Sequence, residues 1–415
     1  MFSRGIVAAM ESEAQSTELA IDEAGSESME ADLVETVDMA ADIDSGTNEV
    51  EQTIKDAGQL ERHVEVLTDA EGEGGAAPEV IEATEIAVEG ICSRLGIYGG
   101  TGIPALESFS TKTGRQRNTR IAIESIGEKI KQIWEAVKMA FKKLVNYVKD
   151  FFAKLFDANA KMLARVNTLR AKTKSLKGVA AEKISGSGIS NVLSDLTPAG
   201  LAKANVKEAA DTALYMVGDL GDYIAAAGDD AKFTSISYSS ERIEAAKTSA
   251  PEGLVWDIVY EISGNKIIQL VPKTAVKGSA AFDAAAKYSV NVEKGDKKES
   301  GEIAALDQTA IGKTLDAVEA KVRELMNNKA VIASVQVKLD GAIADIAKVV
   351  SQVSGEDKEA GSRSTKARSA VTAFSNGAIK LITYTGSETT RVCQAYLTYA
   401  ERSIGSFGEK KEEKK

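Results

Sequence analysis

Apolar residues recur at Ile126, Ile130, Ile133, Val137, Phe141, Leu144, Val148, Phe151 and Leu155, with gaps of 4, 3, 4, 4, 3, 4, 3 and 4. That spacing draws one face of a helix over about eight turns and does not fit the two-residue period of a strand. A second, aromatic edge runs through Trp134, Tyr147, Phe152 and Phe156. Residues 119–178 are predicted to form a long amphipathic helix or a helical hairpin that ends near Gly178. The element is basic: residues 112–178 hold 17 Lys/Arg against 5 Asp/Glu.

Charge divides the chain. Residues 1–107 carry 25 acidic and 4 basic side chains, a net −21, whereas residues 108–415 carry 37 and 47, a net +10. Two parts of opposite sign point to two separate roles. In residues 12–90 Ser, Glu, Asp, Ala and Gly prevail, and no aromatic residue occurs between Phe2 and Tyr98. Such a stretch buries too little apolar area to offset its ordering entropy. It is expected to be largely disordered, with weakly packed helices where Val34, Val37, Met39 and Ile43, and then Val64, Leu67, Val80, Ile81 and Ile86, are loosely spaced along a face. Residues 91–118 read as a protease-accessible loop, with Gly96, Gly99, Gly100, Gly102, Pro104 and Gly114.

Beyond the basic helix, residues 187–232 read as helical in two pieces, starting near Ser190 and Pro198. The period then changes. Phe233–Tyr238, Leu254–Ile262, Ile267–Val271 and Tyr288–Val292 read as strands, and Ser263-Gly264-Asn265-Lys266 supplies hairpin turn chemistry. Helical spacing resumes at 303–328, 330–353, 365–384 and 386–404. The fold class is therefore mainly α with a small antiparallel β insertion (α+β). Its parts are an acidic segment 1–107, a basic helical region 108–232, a small sheet 233–300, a helical bundle 301–408 and a charged tail 409–415.

Much catalytic chemistry lacks its residues. The single histidine, His63, lies in the acidic segment, so a Ser-His-Asp or Cys-His arrangement cannot be built in the body. One histidine and two distant cysteines, Cys92 and Cys393, do not make a zinc site of the usual kind. No phosphate-binding loop occurs: the Gly99-Gly100-Thr101-Gly102 run leads into a proline loop and not into a helix. Carboxylates spaced along the helices are read as surface ion pairs, although a two-carboxylate hydrolase would need no more than one suitably separated pair. Neither an enzyme nor a cofactor is expected. The cysteine pattern fits a reducing compartment. The apolar run Gly5–Met10 is too short for a signal sequence, and no window reaches the roughly 18 apolar residues of a membrane span. The chain is expected to be soluble and made in a cytoplasm.

One tetrapeptide form, Ala-aliphatic-Glu-Ser, occurs as Ala9-Met10-Glu11-Ser12, Ala105-Leu106-Glu107-Ser108 and Ala122-Ile123-Glu124-Ser125. A small, an apolar and an acidic residue in series offer a protease three distinguishable pockets. Candidate cleavage points are Glu107 (before Ser108), Glu11 and Glu124; the last copy also reads as ordinary helix-start sequence. Cutting after Glu107 would separate the acidic segment from the basic body.

On these residues, together with the run AIESIGEKIKQIWEAVKMAFKKLVNYVKDFFAKLF at 122–156, the first 180 or so residues resemble the internal head (inner-body) proteins of large tailed phages of the phiKZ type. The resemblance implies an acidic propeptide that a prohead protease removes after a small-x-Glu motif during capsid maturation. It also implies a Lys-rich helical body packaged with the genome, made in the host cytoplasm and housed in the virion interior beside other head or inner-body proteins. Ser28-Met29-Glu30, Ala83-Thr84-Glu85 and Ala87-Val88-Glu89 fit the looser motif without the following serine.

In this reading the acidic segment masks the basic helix at high effective concentration until the linker is cut. The exposed helix then neutralises DNA phosphates without reading bases. The candidates are Arg115, Arg117, Arg120, Lys129, Lys131, Lys138, Lys142, Lys143, Lys149 and Lys154. Taken singly, each also reads as part of a solvated helix face, and Trp134, Phe141, Phe151, Phe152 and Phe156 read as core. Two alternatives stand beside this one. A basic amphipathic helix with Trp and Phe is also a membrane-surface binder of the kind an ejected virion protein would use. An assembly scaffold, present only until the head is complete, has the same composition.

Overall fold

The structure is a computed structural model that describes the backbone of residues 3–240, 243–296, 301–352 and 358–408. It describes the side chains of 35–240, 243–296, 301–342 and 361–408. In chain order the helices are α1 (Ser3–Gly72), α2 (Pro78–Arg94), α3 (Lys112–Lys174), α4 (Ala199–Lys203), α5 (Val206–Gly218), α6 (Leu220–Ala227), α7 (Asp230–Ser235), α8 (Ser279–Ala285), α9 (Gln308–Asn327), α10 (Lys329–Gln352) and α11 (Lys358–Gly405). The strands are β1 (Lys183–Ser185), β2 (Ser237–Tyr238), β3 (Leu254–Ile262), β4 (Asn265–Pro272), β5 (Val276–Lys277), β6 (Val290–Glu293) and β7 (Glu302–Ala304). The fold is thus mainly α with a few small antiparallel strands, as the hydrophobic periods indicate.

The apolar stripe fixes α3 as one unbroken helix rather than a hairpin. Thr111 caps its start by accepting from the Gly114 amide at 3.2 Å, which satisfies one of the four orphan amides of a helix N-terminus. Ile126, Ile133, Val137, Phe141, Leu144, Val148, Phe151 and Leu155 are all buried, under α1, α9, α10 and α11.

The acidic segment requires a correction over its described length. It was expected to be mostly disordered or weakly helical, yet Met39, Ile43, Val50, Ile54, Ala57, Leu60 and Leu67 of α1 and Ile81, Val88 and Ile91 of α2 belong to the core shared with the rest of the chain. Composition understated what these residues can bury. Their side chains are few, but α1 lays them antiparallel along α3 and α11, so nearly every one meets apolar surface that the body already provides. Gly46 lets the helices close until the Leu144 side chain lies 3.2 Å from where a β-carbon would stand. The α1–α2 turn is tied down as well: Gly75, at φ +104, rests against the backbone of Arg115 and Gln116, and the Ala76 amide donates to Thr119 Oγ1 at 2.9 Å.

Helix α11 runs through the middle. From residue 361 to 404 only Ser362 is exposed, although the sequence there is rich in Ser, Thr, Gly and Ala. Small side chains permit close packing on every side: Gly386 sits where a β-carbon would be 2.7 Å from Leu155, and Gly377 lies against the ring of Tyr288. The two helices expected at 365–384 and 386–404 are therefore one, because Gly386 serves a close approach and not a break.

β3, β4 and β6 form an antiparallel sheet in that order, with α11 against it. Ile262 pairs with Asn265, which leaves Ser263-Gly264 as a two-residue hairpin loop. Both loop residues have positive φ (49 and 78), the I′ geometry that matches strand twist. The strand expected at Phe233–Tyr238 shrinks to Ser237–Tyr238, because Asp229 caps α7 by accepting from the Lys232 amide at 3.1 Å and keeps Phe233 helical.

Candidate functional site: the junction loop and the helix faces beside it

Between α2 and α3 the chain runs as a loop from Leu95 to Thr111, broken by a 3-10 turn at Leu106–Phe109. Glu107 and Ser108 are exposed on that turn, whereas Phe109 is fully buried beneath it. The turn closes through the Ser108 amide and hydroxyl, which donate to the Ala105 carbonyl at 2.9 and 2.6 Å. Side chains of α3 hold the loop from below. Asn118 donates to the Ser108 carbonyl at 2.8 Å and Arg115 Nε to the Phe109 carbonyl at 3.2 Å. Upstream, Ser125 donates to the Gly102 carbonyl at 3.0 Å.

The other small-x-Glu copies differ in setting. Glu124 lies well inside α3, exposed and 3.5 Å from Arg120 in an i,i+4 pair; Ala122 of the same copy is buried, so that copy sits in mid-helix and not at a helix start. In α2 the central residues of two copies, Thr84 and Val88, are packed in the core. Glu11, with the rest of residues 1–34, has its side chain outside the described residues.

The ten basic candidates separate into distinct surroundings. Lys129 is buried, with its ammonium 3.5 Å from the Tyr98 carbonyl. Arg115 holds the junction loop. Lys131 and Lys138 pair with Glu128 and Glu135 at 2.7 and 3.3 Å, Lys149 pairs with Asp340 at 2.8 Å, and Lys154 pairs with Glu35. Arg117, Lys142 and Lys143 are exposed and have no ion pair among the described residues.

The carboxylates of α1 divide between its neighbours: Glu35 and Asp42 reach Lys154 and Tyr147 of α3, and Glu61 and Asp44 reach α11. Glu61 pairs with the guanidinium of Arg368 and accepts from Thr365 Oγ1 at 2.6 Å and from Trp134 Nε1 at 3.3 Å. The Arg368 guanidinium stacks 4.7 Å over the Trp134 ring. Arg368 is 4% exposed and Glu61 15%; burial lowers the arginine's affinity for its proton while Glu61 raises it. Asp44 makes a second tie, 3.0 Å from Lys380 and accepting from the Tyr384 hydroxyl at 2.6 Å. Burial and that carboxylate push the Tyr384 phenol up. Within the acidic segment Arg94 reaches the buried Asp56 at 2.9 Å. Sequence reasoning missed the Glu61–Arg368–Trp134 cluster, because nothing in the sequence sets Arg368 apart from Arg363 and Lys366 beside it.

His63 stands near Thr84, with Nδ1 3.4 Å from its hydroxyl, and burial lowers its pKa. Both thiols are buried, and burial pushes Cys393 up to about 12, far from a reactive thiolate. A cavity of 670 Å³ lies between α5 and the outer side of β3 and β4, lined in part by Glu208, Asp211, Tyr215, Glu244, Asp257 and Gln269. Asp257 accepts from Gln269 Nε2 at 2.8 Å and from the Glu244 amide at 2.6 Å, so its oxygens are spent on structure. Among the described residues no group of three His, Cys, Asp or Glu could hold a metal ion, and no helix is long and apolar enough to cross a membrane.

The chain belongs to the phiKZ-like phage internal head proteins: the family model matches residues 35–402. Its role is structural and lies inside the virion head, in the company of other head proteins. No curated protein and no solved structure matches it.

Proposed function

We propose that the chain is made as a precursor, cut after Glu107 by the head-maturation protease and packaged with the genome. The observation that carries this is the exposure of Glu107 and Ser108 on a short loop between two helical layers, where the net charge changes sign. A protease binds its substrate extended, so residues 105–109 must leave the 3-10 turn. That costs the turn's own bonds and the Asn118 and Arg115 contacts, with α3 left intact. Cutting after Glu124 would require unwinding a continuous helix. DNA contact, in this reading, goes to phosphates through Arg117, Lys142 and Lys143, the exposed cations whose charge no described carboxylate offsets.

Mass spectrometry of protein from finished heads tests this: a start at Ser108 supports the reading, and intact Met1 throughout overturns it. The membrane alternative has less to stand on, because the apolar stripe of α3 lies under other helices.

A further inference from the structure

We infer that the groove between α3 and α11 is a binding site for residues 35–94 as a separate chain, so that cutting the junction yields a two-chain complex and does not release the acidic segment. Its biological setting rests on the Glu107 reading. The geometry of the groove does not.

The floor of the groove is apolar and continuous. Ile43, Val50, Leu60 and Leu67 are at most 2% exposed, and their burial depends on the helices beneath them. Two polar ties then fix the register. Glu61 is locked into the Arg368–Trp134 stack, and Asp44 meets Lys380 and Tyr384. The Asn376 side chain adds a bond to the Thr47 carbonyl at 3.3 Å. These ties join residues more than 300 positions apart, so none depends on the junction for its geometry.

The junction itself is anchored on both sides of the Glu107–Ser108 bond. Upstream, Lys129 and Ser125 reach the Tyr98 and Gly102 carbonyls; downstream, Asn118 and Arg115 reach those of Ser108 and Phe109. All four side chains belong to α3. The cut therefore frees two short ends and removes only the advantage of a tether, which for a short linker is an effective concentration of about millimolar. An interface that buries a contiguous apolar face and a desolvated ion pair holds together well below that concentration.

The test uses the full chain with a site for a sequence-specific protease inserted after Glu107; a surface loop tolerates such an insertion. Cut to completion and run on a sizing column at micromolar concentration, the two pieces are expected to co-elute, with tryptophan emission unchanged. Adding Arg368→Ala is expected to weaken the cut complex by about a hundredfold, while Lys177→Ala, at an exposed position beyond α3, is expected to leave it unchanged. Separate elution of the two pieces from the otherwise native cut protein overturns the inference. Finished heads give an independent measurement should the inserted site disturb folding. Peptides from 35–94 and from 112–408 in equal molar amounts, with a chain start at Ser108, support the inference. Loss of 35–94 with that same start overturns it and leaves Glu107 cleavage standing. Chains continuous through residues 107 and 108 remove the cleavage reading instead, and the cut variant then decides the groove alone.

Discussion

The Glu61–Arg368–Trp134 cluster shows how an ion pair is placed in a core, although the Arg368 Nε is left without a hydrogen-bond partner. A lone buried ion would cost several kcal/mol, but here the carboxylate has three donors and the guanidinium a ring face to lie on. Removing one partner strands the other. Arg368→Ala is expected to lower unfolding free energy by about 3 kcal/mol, and Arg368→Lys to recover only part of it, because an ammonium does not reproduce the planar stack. Urea unfolding midpoints at constant slope check both. Nothing in the sequence marks Glu61 among 25 acidic residues of the first 107. Its role appears only when residue 368 is brought beside it. The basic candidates show the reverse: their clustering is plain in sequence, but which cations remain unpaired is decided by neighbours one helical turn away or on another helix.

At the scale of elements, α3 and α11 are opposite cases. α3 was legible because its stripe repeats without error and its chemistry matches its burial. α11 was not, since its Ser, Thr and Gly read as polar surface and its buried faces answer to partners from α1, α5, α9 and the sheet. Its glycines are packing positions. Gly377→Ala would drive a methyl into the buried Tyr288 ring, whose hydroxyl is held by Gln269 at 3.0 Å; a loss of about 1–3 kcal/mol is expected from overpacking. Gly127→Ala on α3 meets nothing within 4 Å and should instead gain up to about 1 kcal/mol from helix propensity. Thermal or urea melts of the two variants should move in opposite directions. The β3–β4 hairpin was legible in outline from its turn chemistry, but the loop is two residues long, so β4 starts at Asn265 and not Ile267, and a bulge between Ile258 and Tyr260 shifts the register.

For the whole molecule, the acidic segment is one wall of the core and the charge asymmetry is a secondary feature. A chain beginning at Ser108 should lose the cover of its apolar stripe and self-associate on a sizing column, where the full chain should not. Equal behaviour of the two would show that α1 and α2 add nothing to the body.

The sequence by itself determined the helical class, the length of the stripe on α3, the hairpin in outline, the sign change near residue 107 and the repeated Ala-aliphatic-Glu-Ser form. These are local: each is set by residues within a few turns of one another. Only the tertiary structure decided that the described part of the acidic segment is packed into the core, that Glu61 and Asp44 tie it to α11 and that a polar helix is the centre. Periodicity states which face of a helix must be covered and carries no information on what covers it. The partners here, such as Asp44 and Tyr384, are 340 residues apart.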